Sequence, residues 1–133
     1  MAPVSITESS IPQLVDAFYA RVREDAVLSP IFESKLAGRW DEHMPRMYAF
    51  WTKVLLGRGE FQSNVFGKHM ALAGIEKEHF VRWLTLFRKT AIEVFGIDAA
   101  NVPILVAERI AGSLQLGYFG EIQVEQSACL DSN

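Results

Sequence analysis

Cysteine is nearly missing from this chain, with Cys129 the only one in 133 residues. A disulfide framework and a cysteine zinc site within one chain are therefore excluded. Positive charge is not in excess either. Thirteen Lys and Arg against sixteen Asp and Glu leave a net charge of −3, and the basic residues are scattered. That argues against a nucleic-acid surface. No apolar run approaches the ~20 residues of a membrane-spanning helix. The opening MAPVSITESS has neither the basic start nor the long apolar core of a secretory signal. Cytoplasm is the expected location. Strand signals are also wanting: there is no sustained period-two run and no Asn-Gly or Asp-Gly turn.

What remains is an ordinary globular composition, half hydrophobic and 22% charged. The length suits one domain over 1–133, with roughly two-thirds of the unfolded surface buried on folding. Apolar residues recur at spacings of three and four, the mark of amphipathic helices. Ser10-Ile11-Pro12-Gln13 reads as a capping box with proline in the first turn. Leu14, Val15, Phe18, Tyr19 and Val22 then trace one face to about Glu24. Ser29-Pro30 is expected to break the chain before Ile31-Phe32. A second helix starts near Asp41 or Glu42, carries Met44, Met47, Phe50 or Trp51, Val54 and Leu55 inward, and closes at Gly57 and Gly59. Pro45 disfavours helical geometry in the residue before it, so regular helix is expected only from about Pro45. A third helix spans about Glu76 to Phe95 and ends at Gly96. Asn101-Val102-Pro103 opens a fourth, with Ile104, Ala107, Ile110, Ala111 and Leu114 inward. The tail from about Glu121 is expected to be flexible. The fold class is all-α.

The chain has three histidines, His43, His69 and His79. No HExxH zinc helix, no Gly-x-Ser-x-Gly elbow and no phosphate loop is present. GRGEF at 57–61 is a helix stop. One pattern is left. His43, Met47 and Trp51 recur at spacings of four, so they stack along one helix stripe. Tyr19 adds a phenol to the inward face of the first helix, and Trp83 an indole to the third. A buried phenol or indole normally wants a hydrogen-bond partner. Polar tips converging in an aromatic, methionine-lined interior suit a small polar ligand. A stripe of that kind is more often plain core, and spacing alone leaves both readings open.

Four segments in order carry a wider resemblance: AFYARVREDAVLSPIF (17–32), WDEHMPRMYAFWTKVLLG (40–57), GKHMALAGIEKEHFVRWLTLF (67–87) and IAGSL (110–114). Over nearly its whole length the chain resembles the truncated haemoglobins, specifically their third group. The loop-pinning glycine pairs of the other two groups are not found at the equivalent places. The resemblance implies a two-over-two helical sandwich around a non-covalently held b-type haem. It makes His69, in FGKHMAL, the proximal iron ligand, which leaves the opposite face of the haem open. Phe66 and Met70 become apolar walls beside it. Tyr19, His43 and Trp83 take the distal positions, where O–H and N–H donors hold bound dioxygen through its partial negative charge. One such bond is worth roughly 0.5–1.5 kcal/mol, up to about tenfold in affinity. Phe32 matches the family's ring-packing phenylalanine and Met47 the distal face. Ile75 and Phe80 are expected on the proximal wall, and Arg46 and Lys68 beside the propionates. His79 has no family role and is expected at the surface. Cys129 lies beyond the recognisable match.

The resemblance implies dioxygen, nitric oxide and carbon monoxide as ligands. Two uses stay open: redox chemistry on oxygen, nitric oxide or peroxide with an external reductase, or ligand binding and sensing without turnover. No nucleic-acid or membrane partner is expected, and the expected state is a monomer or weak dimer.

Overall fold

The computed structural model describes residues 5–58 and 75–119, with side chains to residue 116. Every regular element in that range is a helix: α1 Ile11–Glu24, α2 Leu28–Leu36, α3 Trp40–Leu56, α4 Lys77–Ala99 and α5 Asn101–Phe119. Helices α1 and α3 pack as one pair and α4 and α5 as the other. The pairs meet through α1 against α4 and α3 against α5, while α2 bridges α1 and α4. This is the two-over-two sandwich.

The core follows the helical spacing. Ile11, Leu14, Val15, Phe18, Tyr19 and Val22 are all buried along α1. They meet Phe80, Leu84, Phe87, Ala91 and Phe95 of α4 and Ala107, Ala111 and Leu114 of α5. Small residues on α5 let it approach α4 closely. Aromatic rings tie the two layers together. Phe18 is edge-on to Phe87 at 5.2 Å and to Trp83 at 5.5 Å, and Trp51 stacks on Phe87 at 5.1 Å. Arg21 reaches across from α1 to donate to the buried Thr90 hydroxyl at 2.7 Å, and it also pairs with Glu93.

Helix ends depart from expectation more than helix middles do. Ser10 does sit at the N-cap of α1, but its side chain makes no cap bond to the helix. Its hydroxyl accepts from the Thr7 N–H at 2.8 Å instead, so the expected capping box does not form. Pro30 does not break the chain but falls in the first turn of α2, where its missing N–H costs nothing. Asp25 performs the capping there, with Oδ1 accepting from the amides of Val27 and Leu28, each at 2.9 Å. Helix α3 is regular from Trp40 with Pro45 inside it, not from Pro45. So early in the helix, proline removes only the bond to the Asp41 carbonyl, and the first turn closes through Arg39, whose carbonyl accepts from Glu42 and His43 at 3.1 Å. Gly57 ends α3 in the left-handed region at φ 69°. Gly96, at φ 84° and ψ 161°, interrupts α4 where a stop was expected, and one more turn follows. Among the described residues no helix is long and apolar enough to cross a membrane.

Candidate functional site

Two features adjoin at the junction of α1, α2, α3 and α4. The first is an open, apolar cleft. Leu28, Ile31 and Phe32 of α2 form one wall. Ile75, Phe80 and Trp83 form a second, and Ile110, Ala111 and Leu114 of α5 a third.

The second feature is a cluster of rings with polar tips. Tyr19, 7% exposed, lies edge-on to His43 with centroids 5.2 Å apart and an interplanar angle of 90°. Trp40 is edge-on to both, at 5.8 Å from Tyr19 and 5.7 Å from His43. The His43 Nε2 is buried. Burial pushes the Tyr19 phenol well above its usual titration range, so at neutral pH it is an O–H donor. Cluster and cleft share walls. Phe32 lines the cleft and packs against Tyr19 at 6.0 Å, while Trp83 lines it and packs against Phe18.

The cleft thus brings together Phe32, Ile75, Phe80 and Trp83. The ring cluster brings together Tyr19 and His43. Met47 lies one turn beyond His43, half-buried against the core and not among the cleft's walls. Arg46 is exposed. Phe66, Lys68, His69, Met70 and Cys129 lie outside the described residues, as does the tail from Glu121. Among the described residues no three His, Cys, Asp or Glu side chains gather so as to hold a metal ion by themselves.

His79 was expected at the surface near the start of the third helix, and it stands in the first turn of α4. It is half-buried and lines the cleft. Its Nδ1 accepts from the Glu76 N–H at 2.9 Å, capping the start of α4. An accepting Nδ1 puts the proton of the neutral ring on Nε2. The signal was present in Glu76-x-x-His79, a capping arrangement with imidazole in place of the usual carboxylate or amide. Leu28 and Ile31 were also missed as cleft walls, because Ser29-Pro30 suggested a break rather than a helix that aims them inward.

A mostly apolar group suits the lining of this cleft. The walls are hydrocarbon and aromatic, the Trp83 indole and the His79 imidazole are among them, and Tyr19 packs against one of them, Phe32. No protein-family model matches the chain. The chain is 33% identical over 114 residues to the group 3 truncated hemoglobin of Campylobacter jejuni, an alignment covering 84% of this chain and 90% of that protein. The crystal structure of a group III truncated hemoglobin from Campylobacter jejuni superposes with a TM-score of 0.84 at 32% identity. That superposition covers 90% of this chain and 96% of the other.

Proposed function

The chain belongs to the group 3 truncated haemoglobins, and from that premise we propose that it is a haem protein that binds dioxygen, nitric oxide and carbon monoxide. The observation that carries the proposal is the shared wall: Phe32 and Trp83 line an apolar cleft and touch the α1 aromatics next to a buried phenol. A non-covalently held b-type haem would supply the iron at which diatomic ligands bind. His69 would hold that iron through an imidazole nitrogen. Phe32, Phe80 and Ile75 would exclude water from the macrocycle's faces, with Phe66 and Met70 as further walls. Arg46 and Lys68 would meet the propionates.

On the ligand side the chain's own donors do the discriminating. A phenol keeps its proton at neutral pH, and burial pushes Tyr19 still further from ionising, so it presents an O–H. Trp83, a wall of the cleft on α4, would add an indole N–H. A ligand that draws negative charge gains from both, and one that stays neutral gains less. His43 stands edge-on to Tyr19 and either donates as a third group or turns aside to admit ligands. Three polar groups around one ligand favour retention over release. The reading with redox turnover and an external reductase is therefore preferred to simple oxygen carriage, and Met47 and Phe32 would keep that chemistry dry.

The test is the visible spectrum of the chain produced with ample haem. An intense Soret band that shifts on adding carbon monoxide to the reduced protein is expected. A folded, colourless protein that ignores added haemin would end the proposal. Turnover is tested separately, by nitric oxide or peroxide consumption with a regenerating reductant. A rate no greater than that of free haemin would leave ligand binding without enzymatic chemistry.

A further inference from the structure

The ring cluster is braced from outside by residues that do not face the cleft. Glu33 of α2 gathers two donors on one carboxylate oxygen: the Trp40 indole N–H at 3.1 Å and the Arg23 Nε at 3.3 Å. The Arg23 guanidinium also lies over the Trp40 ring, 4.4 Å from its centroid. The Glu33 and Arg23 side chains are 34% and 49% exposed, whereas Trp40 is only 8% exposed. The same indole is edge-on to Tyr19, with an interplanar angle of 64°, and to His43, with one of 88°. Contacts therefore run from solvent to the two polar rings in three steps: carboxylate, indole, then imidazole and phenol.

A surface ion pair of this exposure contributes little to stability. Its leverage is on orientation. An indole held only by packing can pivot about its side-chain torsions, whereas one with its N–H anchored on one side and a cation stacked on its face has its plane fixed. The plane of Trp40 in turn sets where His43 can go, because an edge-on partner cannot swing outward through a ring that does not yield. We propose that Glu33 is a positioning residue: through the Trp40 indole it holds His43 against Tyr19 and so limits how readily small ligands reach the cleft. The ligand side of this inference rests on the haem reading above. The coupling from Glu33 to His43 does not.

The experiment uses the full chain with Glu33→Ala, Glu33→Gln, Trp40→Phe and the Glu33→Ala/Trp40→Phe double variant. Trp40→Phe keeps an aromatic ring and deletes the N–H, and Glu33→Gln keeps an acceptor for it. His43 ring resonances are followed by NMR in the carbon monoxide complex and in the haem-free chain, and carbon monoxide association by flash photolysis. Glu33→Ala and Trp40→Phe should each shift the His43 resonances and speed association by roughly threefold to tenfold, the scale of one hydrogen bond. Glu33→Gln should stay within about twofold of the parent, and the double variant should be no faster than either single one, since both act on one bond. Should Glu33→Ala fail to fold, Trp40→Phe and Glu33→Gln decide the matter by the same readouts. Parent-like resonances and rates in Trp40→Phe would overturn the proposal, and so would additive effects in the double variant. A parent chain without a Soret band would refute the haem reading instead, and the His43 resonances of the haem-free variants would still judge the coupling.

Discussion

Helices α1 and α3 lie in the same layer, yet they are buried very differently. Helix α1 has 14 residues and seals Ile11, Leu14, Val15, Phe18, Tyr19 and Val22. Helix α3 has 17 and seals only Trp40 and Trp51. Between those two tryptophans His43, Met44, Met47, Tyr48 and Phe50 are half-buried, although most are as apolar as the residues of α1. The difference separates two tasks. Helix α1 spends its apolar face on the α4 interface and holds the fold, while the middle of α3 carries the proposed ligand face on a loosely covered stripe. Tyr19 belongs to both, sealed with the core and edge-on to His43.

The sharpest way to break this comparison is to truncate one residue on each helix. Phe18→Ala should lower unfolding free energy in urea by about 3–5 kcal/mol, because it empties a site surrounded by Tyr19, Trp83 and Phe87. Met47→Ala should cost less than half as much. Equal losses would show that α3 holds the core together as firmly as α1 does. Next in size is Tyr19→Phe, which keeps the ring and deletes the donor. Oxygen dissociation from the reduced protein should quicken by about tenfold with little change in stability, and stopped-flow mixing measures it. An unchanged rate would remove Tyr19 from the ligand face.

Smaller effects are expected at the rims of the sealed layer. Burial pushes the Asp25 carboxyl up, but the Arg82 side chain and the Leu28 and Val27 amides outweigh it and hold its pKa below the usual value. Arg82 Nε donates to both oxygens, at 2.7 and 2.8 Å, which clips α4 to the α1–α2 connection. A depressed carboxyl stabilises the fold above its unfolded pKa and loses that effect as pH falls through its folded pKa. Asp25→Asn should therefore cost about 1 kcal/mol at neutral pH. Parent and variant should draw together as pH falls below the ordinary aspartate value of about 4 and converge once it has passed the depressed folded pKa. A gap that persists into that acid range would point to packing rather than charge. The smallest effect is His79→Ala, which deletes the acceptor for Glu76 N–H and should cost roughly 0.5–1 kcal/mol in thermal unfolding. No change would mean that water caps α4 equally well.

The helical register was readable because burial repeats every three or four residues. Leu14, Phe18 and Val22, and Phe80, Leu84, Phe87 and Ala91, point inward as their spacing requires. Proline and cap chemistry misled, because a local rule states what a residue disfavours and not what the surrounding helix tolerates. Pro30 and Pro45 both sit within helices that begin before them. The neighbourhood of Tyr19 and His43 depended on the resemblance to a family, since 24 positions and the whole of α2 separate them and no spacing rule spans that gap. The Glu33–Trp40–Arg23 triangle was invisible for a similar reason. It joins three helices through side chains that each look like ordinary surface or core.

The central claim is that His69 holds a haem iron while His43 stands on the ligand side. Haem content measures this most directly, compared by absorbance between His69→Ala and His43→Ala produced in parallel. The account predicts that His69→Ala loses the Soret band or binds haem only weakly, while His43→Ala keeps full haem and binds carbon monoxide faster. Full haem with normal ligand binding in His69→Ala, or loss of haem in His43→Ala alone, would contradict it.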